Sequence, residues 1–207
     1  SSLGGNLMNF KFKAVVIVDP QVDFTTGSLK NDEAIKKIPN IIKKIEQEVT
    51  DWKKAIGTPD EYSLKFYITQ DTHFDNYYET SEGKKLPVAH CIKGTDGWKV
   101  HPDVIKAVNE YVSGVNLEFI EKHTFGSVDL PLKLADDLMN LSIKDTDMAV
   151  DFMGFCTDIC VVSNAILVKA YYTEAKISVY KDCCAGVTVE SHESALATMR
   201  SCQIEVV

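Results

Sequence analysis

Positive charge is in short supply in this chain of 207 residues: 22 Lys and Arg stand against 30 Asp and Glu, a net charge of −8. A surface of that sign argues against non-specific binding to nucleic acid or to an anionic membrane. Long apolar runs are also missing; none approaches the ~20 residues of a membrane span. Ser1 to Asn9 is small and polar, with no apolar core of a secretory signal. Ser1 to Leu7, ahead of Met8, reads as an expression remnant, which leaves 8–207 as a single expected domain. Internal repeats, low-complexity segments and Gly/Ser linkers are absent, which excludes solenoids and linked modules. The spacing Cys156…Cys160 is not C-x-x-C, so a thioredoxin-like redox motif is unsupported. Six scattered cysteines, two of them adjacent (Cys183 and Cys184), with no export signal predict reduced thiols and a cytoplasmic protein.

What is present is 45% hydrophobic residues, arranged as short apolar runs alternating with longer amphipathic ones. Ala14–Val18, Leu64–Thr69, Leu117–Glu121, Ala149–Met153, Ile177–Tyr180 and Ile204–Val207 read as strands. Between them, Asn31–Ile56, Pro102–Val112, Leu130–Met139, Cys156–Thr173 and Glu190–Arg200 read as helices. Ile38, Ile41, Ile42, Ile45, Val49 and Trp52 supply the helical spacing of the first, and Pro39 is expected to bend or restart it. Strand–helix alternation with continuous Val/Ile strands predicts an α/β fold: three layers, doubly wound, with helices on both faces of a mostly parallel sheet. Right-handed crossovers put every strand's carboxyl end on one edge, where ligands bind.

Reactive residues fall at those ends. Cys160, in the turn after the fourth strand, is a candidate nucleophile, and a helix N-terminus would favour its thiolate; the plain alternative is a small buried hydrophobe. Asp19 closes the first strand and is either a general base or a turn-capping residue, whereas Asp23, deeper in the loop, reads as structural. Lys122 follows the third strand and would stabilise a thiolate or an oxyanion, unless it is a solvated surface lysine. By strand alternation Lys122 and His123 point to opposite sides, so one of them faces the site. Asp71, His73 and His90 have the donor types of zinc or another borderline divalent ion, with Glu79 or Glu82 as a further oxygen; loop hydrogen bonding is the competing reading. Cys91 is read as structural, and His101 and His192 as surface or capping residues. Tyr171 and Tyr172 suit either an interface or core packing.

The blocks Val18-Asp19-Pro20-Gln21-Val22-Asp23-Phe24, Thr69-Gln70-Asp71-Thr72-His73, Leu86 to Trp98, Glu121 to Ser127 and Gly154 to Val161, in this order and spacing, resemble the nicotinamidase/isochorismatase-like cysteine hydrolases from about Phe12 onward. The resemblance implies a six-stranded parallel sheet and a triad of Asp19, Lys122 and Cys160. It implies a cis peptide before Cys156, aiming the backbone N–H groups of Cys156 and Cys160 at the substrate carbonyl oxygen. It further implies zinc, or manganese or iron in its place, on Asp71, His73 and His90 with Glu82 added, and Phe24 packed on the substrate ring. The partner implied is a small amide, nicotinamide first, hydrolysed to the acid and ammonia through a thioester; a homo-oligomer is implied too. Nicotinamidases often carry an aromatic three residues before the second metal histidine; Pro87 stands there, with Leu86 before it. The alternatives are a cysteine hydrolase of another small amide or N-carbamoyl compound, a non-catalytic binding module, and a redox protein using Cys156 and Cys160.

Overall fold

Ala14 to Val18 are wholly buried because this run lies at the centre of a sheet covered on both faces. The computed structural model describes residues 10–207; Ser1–Leu7, and with it the expectation for that segment, lies outside the described residues. Strands β1 (Phe12–Val18), β2 (Ser63–Asp71), β3 (Asn116–Lys122), β4 (Met148–Phe155), β5 (Lys176–Ala185) and β6 (Glu205–Val206) form one sheet in the order β3-β2-β1-β4-β5-β6. Every pairing is parallel. The helices are α1 (Asp32–Ala55), α2 (Ser81–Lys85), α3 (Pro102–Tyr111), α4 (Asp129–Leu141), α5 (Val162–Tyr171) and α6 (Val189–Ser201). α1 packs on α3, and α5 touches both α4 and α6, so the two groups form the outer layers. No described helix is long and apolar enough to cross a membrane.

α1 begins where Asn31 accepts hydrogen bonds from the Glu33 and Ala34 N–H groups, replacing partners that a first helical turn lacks. Its buried stripe is Ala34, Ile38, Ile41, Ile45 and Val49, and each large aliphatic fully withdrawn from water contributes about 1.5–3 kcal/mol. Pro39 does not restart it: the helix runs unbroken to Ala55, with Pro39 exposed. Glu48 is also buried on this stripe, the one charged residue there, for a reason given below.

One expectation needs correction, and one left open is decided. The helix expected over Cys156–Thr173 is a π-helical turn, Thr157–Val161, followed by α5. Tyr172 is a core residue, its hydroxyl bonded to the Pro131 carbonyl, while Tyr171 is exposed.

The chain reverses its order of strand addition between β1 and β4, the topological switch point where an α/β sheet opens a crevice. Val18 pairs with Gly154 there, and Asp71 pairs with Lys122 one strand further out. Gly154 has φ +123°, and a Cβ on it would lie 2.1 Å from the Val18 carbonyl oxygen. That conformation and that approach admit only glycine. Gly154→Ala is therefore expected to cost at least about 3 kcal/mol, combining backbone strain with a backbone clash. Urea unfolding checks this; a variant within about 1 kcal/mol of the parent would show that the β1–β4 contact can relax.

Candidate active site

Asp19, the first residue after β1, is fully buried with φ +47°. Thr69 on β2 holds it: the Thr69 hydroxyl donates to Asp19 Oδ1 at 2.7 Å, and the Asp19 N–H meets the Thr69 hydroxyl at 3.1 Å. Lys122, the last residue of β3, is buried as well, and its Nζ lies 2.7 Å from Asp19 Oδ2. The same ammonium is 3.4 Å from Asp71 Oδ1, donates to the Thr124 carbonyl at 3.0 Å, and is 3.4 Å from Cys160 Sγ. His123, the adjacent residue, is exposed, as the alternation of a strand requires. Sequence positions 19, 71, 122 and 160 thus meet around one ammonium.

The electrostatics differ from the expectation of a thiolate. Burial pushes the Cys160 thiol well above its ordinary value; Lys122 opposes this, but the Asp19 and Asp71 charges add to it. The resting sulfur is a neutral thiol, because desolvation outweighs the favourable charge of Lys122. Burial also raises the Asp19 carboxyl, against the pull of Lys122. A carboxylate of raised proton affinity that shares the Lys122 ammonium with the thiol has the chemistry of a base. Burial works to lower the Lys122 value, but Asp19 and the other anions raise it well above the usual lysine range, so it stays cationic. Apart from that ammonium, Asp19 Oδ2 has no hydrogen-bond partner among the described residues.

The peptide between Phe155 and Cys156 is cis. Burial pushes the Cys156 thiol up to about 12, and all six cysteines are free, which leaves Cys156 a poor redox partner for Cys160.

A second cluster adjoins the first through Asp71. His73 Nε2 lies 2.9 Å from Asp71 Oδ2 and 3.2 Å from Glu82 Oε2; His90 Nε2 lies 3.4 Å from each of the same two oxygens. All four donor atoms fall within 4.8 Å of one another. Glu82 is supplied by α2, whose start is capped by Thr80, while Glu79 is exposed and outside the cluster. The His90 Nδ1–H donates to the Val88 carbonyl at 2.8 Å, which turns Nε2 toward the two carboxylates. Two imidazole nitrogens and two carboxylate oxygens in this compass suit a borderline divalent ion. Despite burial, hydrogen bonds from His73 and His90 and the Lys122 charge hold the Asp71 carboxyl well below its usual range. Burial opposes protonation of His73, but its bonds to Asp71 and Glu82 push it up to about 9.

Three supports escaped the sequence. Gln21 clamps the Asp71 backbone, donating to its carbonyl at 2.9 Å and accepting its N–H at 2.8 Å. Asn164 donates to the Cys160 carbonyl at 2.8 Å and accepts the Ser127 N–H at 2.8 Å, tying the cysteine turn to the loop after Lys122. His192 is no plain surface residue: its Nδ1 is 2.7 Å from the Thr157 hydroxyl, beside the cysteine turn. Nothing in periodicity flags a lone Gln, Asn or His. Asp23, read as structural, accepts from the Cys91 N–H at 2.8 Å and the Ser28 N–H at 2.9 Å, and so braces the residue beside His90. Buried Cys91 and the α3-capping His101 stay outside both clusters.

Cys160, Asp71, Glu82, His90 and Phe24 open into one cavity of about 450 Å³. The Phe24 ring sits 5.6 Å from that of His90, centre to centre. Leu86, rather than Pro87, lines the wall.

A parallel sheet with these groups at the carboxyl edge of its switch point defines a three-layer α/β hydrolase in the functional sense of the word. A family model, the Isochorismatase domain, matches residues 13–207, and the chain belongs to that family. It is 27% identical over 195 residues to the nicotinamidase/pyrazinamidase of Mycobacterium tuberculosis, covering 94% of this chain and 98% of that one. The crystal structure of nicotinamidase PncA from Bacillus subtilis shares the fold with a TM-score of 0.71 at 24% identity, covering 94% and 98% of the two chains. The pyrazinamidase of Pyrococcus horikoshii, determined in complex with zinc, does so at 0.65 and 22% identity, again over 94% and 98%.

Proposed function

We propose that the chain is a cysteine amidohydrolase that releases ammonia from a small primary amide of the nicotinamide type. The observation that carries this is the single buried ammonium of Lys122 in contact with both Asp19 and the Cys160 sulfur at the floor of an apolar cavity.

Asp19 takes the proton from the Cys160 thiol as the sulfur attacks the amide carbonyl carbon. Lys122 keeps its charge throughout and offsets the negative charge that grows on sulfur and oxygen. The backbone N–H groups of Cys156 and Cys160 are assigned to the developing oxyanion, where one such donor is worth roughly 3 kcal/mol. Collapse of the tetrahedral species breaks the C–N bond, and protonated Asp19 delivers its proton to the departing nitrogen, giving ammonia and a thioester. Asp19 then deprotonates a water, which attacks the thioester carbon; the acid leaves and the thiol recovers its proton. Phe24 packs the ring of the substrate. Asp71, His73, Glu82 and His90 would hold the divalent ion, zinc being favoured by the nitrogen–oxygen set; when bound, it supplies a Lewis-acidic anchor for a ring nitrogen or a water.

Purified protein loaded with zinc is expected to release ammonia from nicotinamide. A strong chelator should lower that rate at least tenfold, and added zinc or manganese should restore it. A rate indifferent to chelation would remove the ion from the proposal. No turnover of nicotinamide, pyrazinamide or an N-carbamoyl panel by folded, zinc-loaded protein would sink the hydrolase reading for these substrates.

A further inference from the structure

The cavity has two unlike ends. Its inner end holds the buried groups Cys160, Asp71 and His90 with the Phe24 ring. A primary amide seated for attack, with its ring on Phe24, is accommodated there. The outer end is a collar contributed by five separate segments: Leu29, Leu86, Phe125, Ile159 and Val187. Leu86, Phe125 and Val187 are 40%, 44% and 59% exposed. Isolated exposed apolar residues need no explanation, but several converging on the mouth of a reactive cavity mark a binding surface.

The polar groups at this end are already engaged. Lys30 and Asp32 offset each other's charge, 3.7 Å apart. The Asn31 side chain caps α1 and donates to the Gly186 carbonyl at 2.8 Å. Asp158, beside Ile159, accepts the Val187 N–H at 3.2 Å, so a carboxylate borders the collar and disfavours an anionic substituent.

We infer that the substrate carries an uncharged apolar substituent that projects from the reacting ring onto this collar, so that the preferred substrate is an alkyl- or aryl-substituted aromatic carboxamide rather than nicotinamide itself. This rests on the hydrolase reading above. Leu86 then acts in specificity as one of the aliphatic collar residues that would meet the substituent.

The test is a series of nicotinamides bearing methyl, ethyl and propyl groups at each ring position away from the carboxamide. kcat/KM is measured on the zinc-loaded protein, and affinity is measured by calorimetry on Cys160→Ala. At one position kcat/KM and affinity are both expected to rise about two- to fourfold per added methylene, the upper figure being that of full burial. A carboxylate at the end of the same chain should abolish the gain. Val187→Ser and Leu86→Ser should flatten the slope of the series. Measurable nicotinamide turnover with a flat or falling series at every position would overturn the inference and leave the hydrolase reading standing. Absent turnover of every compound would overturn the hydrolase reading; the calorimetric slope on Cys160→Ala would then decide the collar's ligand class, and a flat slope would overturn that as well.

Discussion

Cys160→Ala is expected to lose amide hydrolysis by about 10⁴- to 10⁶-fold, the loss seen when a covalent nucleophile is removed. The fold should survive, because the change deletes one buried sulfur that carries no charge at rest. The variant should still bind ligand, since Phe24, His90 and the collar are untouched. That combination separates an enzyme from a binding module: the module would bind and have no turnover to lose. Steady-state ammonia release and calorimetry on the same preparation give the answer, and residual activity within about a hundredfold of the parent would exclude Cys160 as the nucleophile. Lys122 is a less clean probe. Its removal would leave the Asp19 and Asp71 carboxylates facing each other in the interior without their shared cation, so lost activity would be confounded with lost stability.

Lys13→Met is expected to destabilise the protein by about 3–5 kcal/mol, the cost of stranding buried partners of an ion pair. Lys13 on β1 lies 2.8 Å from Glu48 of α1 and 3.0 Å from Asp151 of β4. Lys44 reaches Glu48 at 2.8 Å, with its ammonium 3.8 Å from the Tyr180 ring centre, and the Tyr180 hydroxyl donates to Asp151 at 3.0 Å. Two cations and two anions close this network, which is why Glu48 is tolerated on the apolar stripe of α1. Taking Lys13 away leaves Asp151 buried with only the tyrosine hydroxyl. Replacing the network as a unit, Lys13→Met with Glu48→Met and Asp151→Leu, should recover most of the loss, because no uncompensated charge remains inside. Urea unfolding measures both; a loss below about 1 kcal/mol for Lys13→Met would show that water or a shift of α1 takes over the role of the lysine.

The same variant carries a pH signature. Burial already raises the Asp151 carboxyl above its ordinary 3.8, and Lys13 is the largest influence holding it down. Without Lys13 it rises further. Between the unfolded value and that higher folded value the native state holds a proton that the unfolded chain has released, so stability falls as pH rises through the window. The deficit of Lys13→Met relative to the parent should therefore be smallest in acid, grow above the ordinary carboxylate range, and level off once pH passes the raised folded value. A deficit that widens toward acid would contradict the assignment.

Some of this protein follows from local sequence alone. Val/Ile runs bounded by turn residues specify strands buried on both faces, and 3.6-residue spacing specifies α1, because both signals are written within a few neighbouring residues. The chirality of crossovers then places Asp19, Asp71, Lys122 and Cys160 on one edge without reference to any contact. Alternation along β3 likewise separates Lys122 from His123.

Tertiary structure decided the rest. Glu82 and not Glu79 joins the histidines because α2 is packed to turn it inward, a fact about packing and not about spacing. The neutral state of the Cys160 thiol follows from the water excluded around it, which no motif records. The cysteine turn is π-helical before α5 begins, a hydrogen-bond register that apolar spacing does not reveal. Gln21, Thr69, the Asn164–Ser127 bond and the Lys13–Glu48–Asp151 network join residues 35 to 138 positions apart through single hydrogen bonds and ion pairs. Such pairs leave no period in the chain. They exist only once the sheet has brought its strand ends together, where a buried polar group must find whichever partner the fold presents.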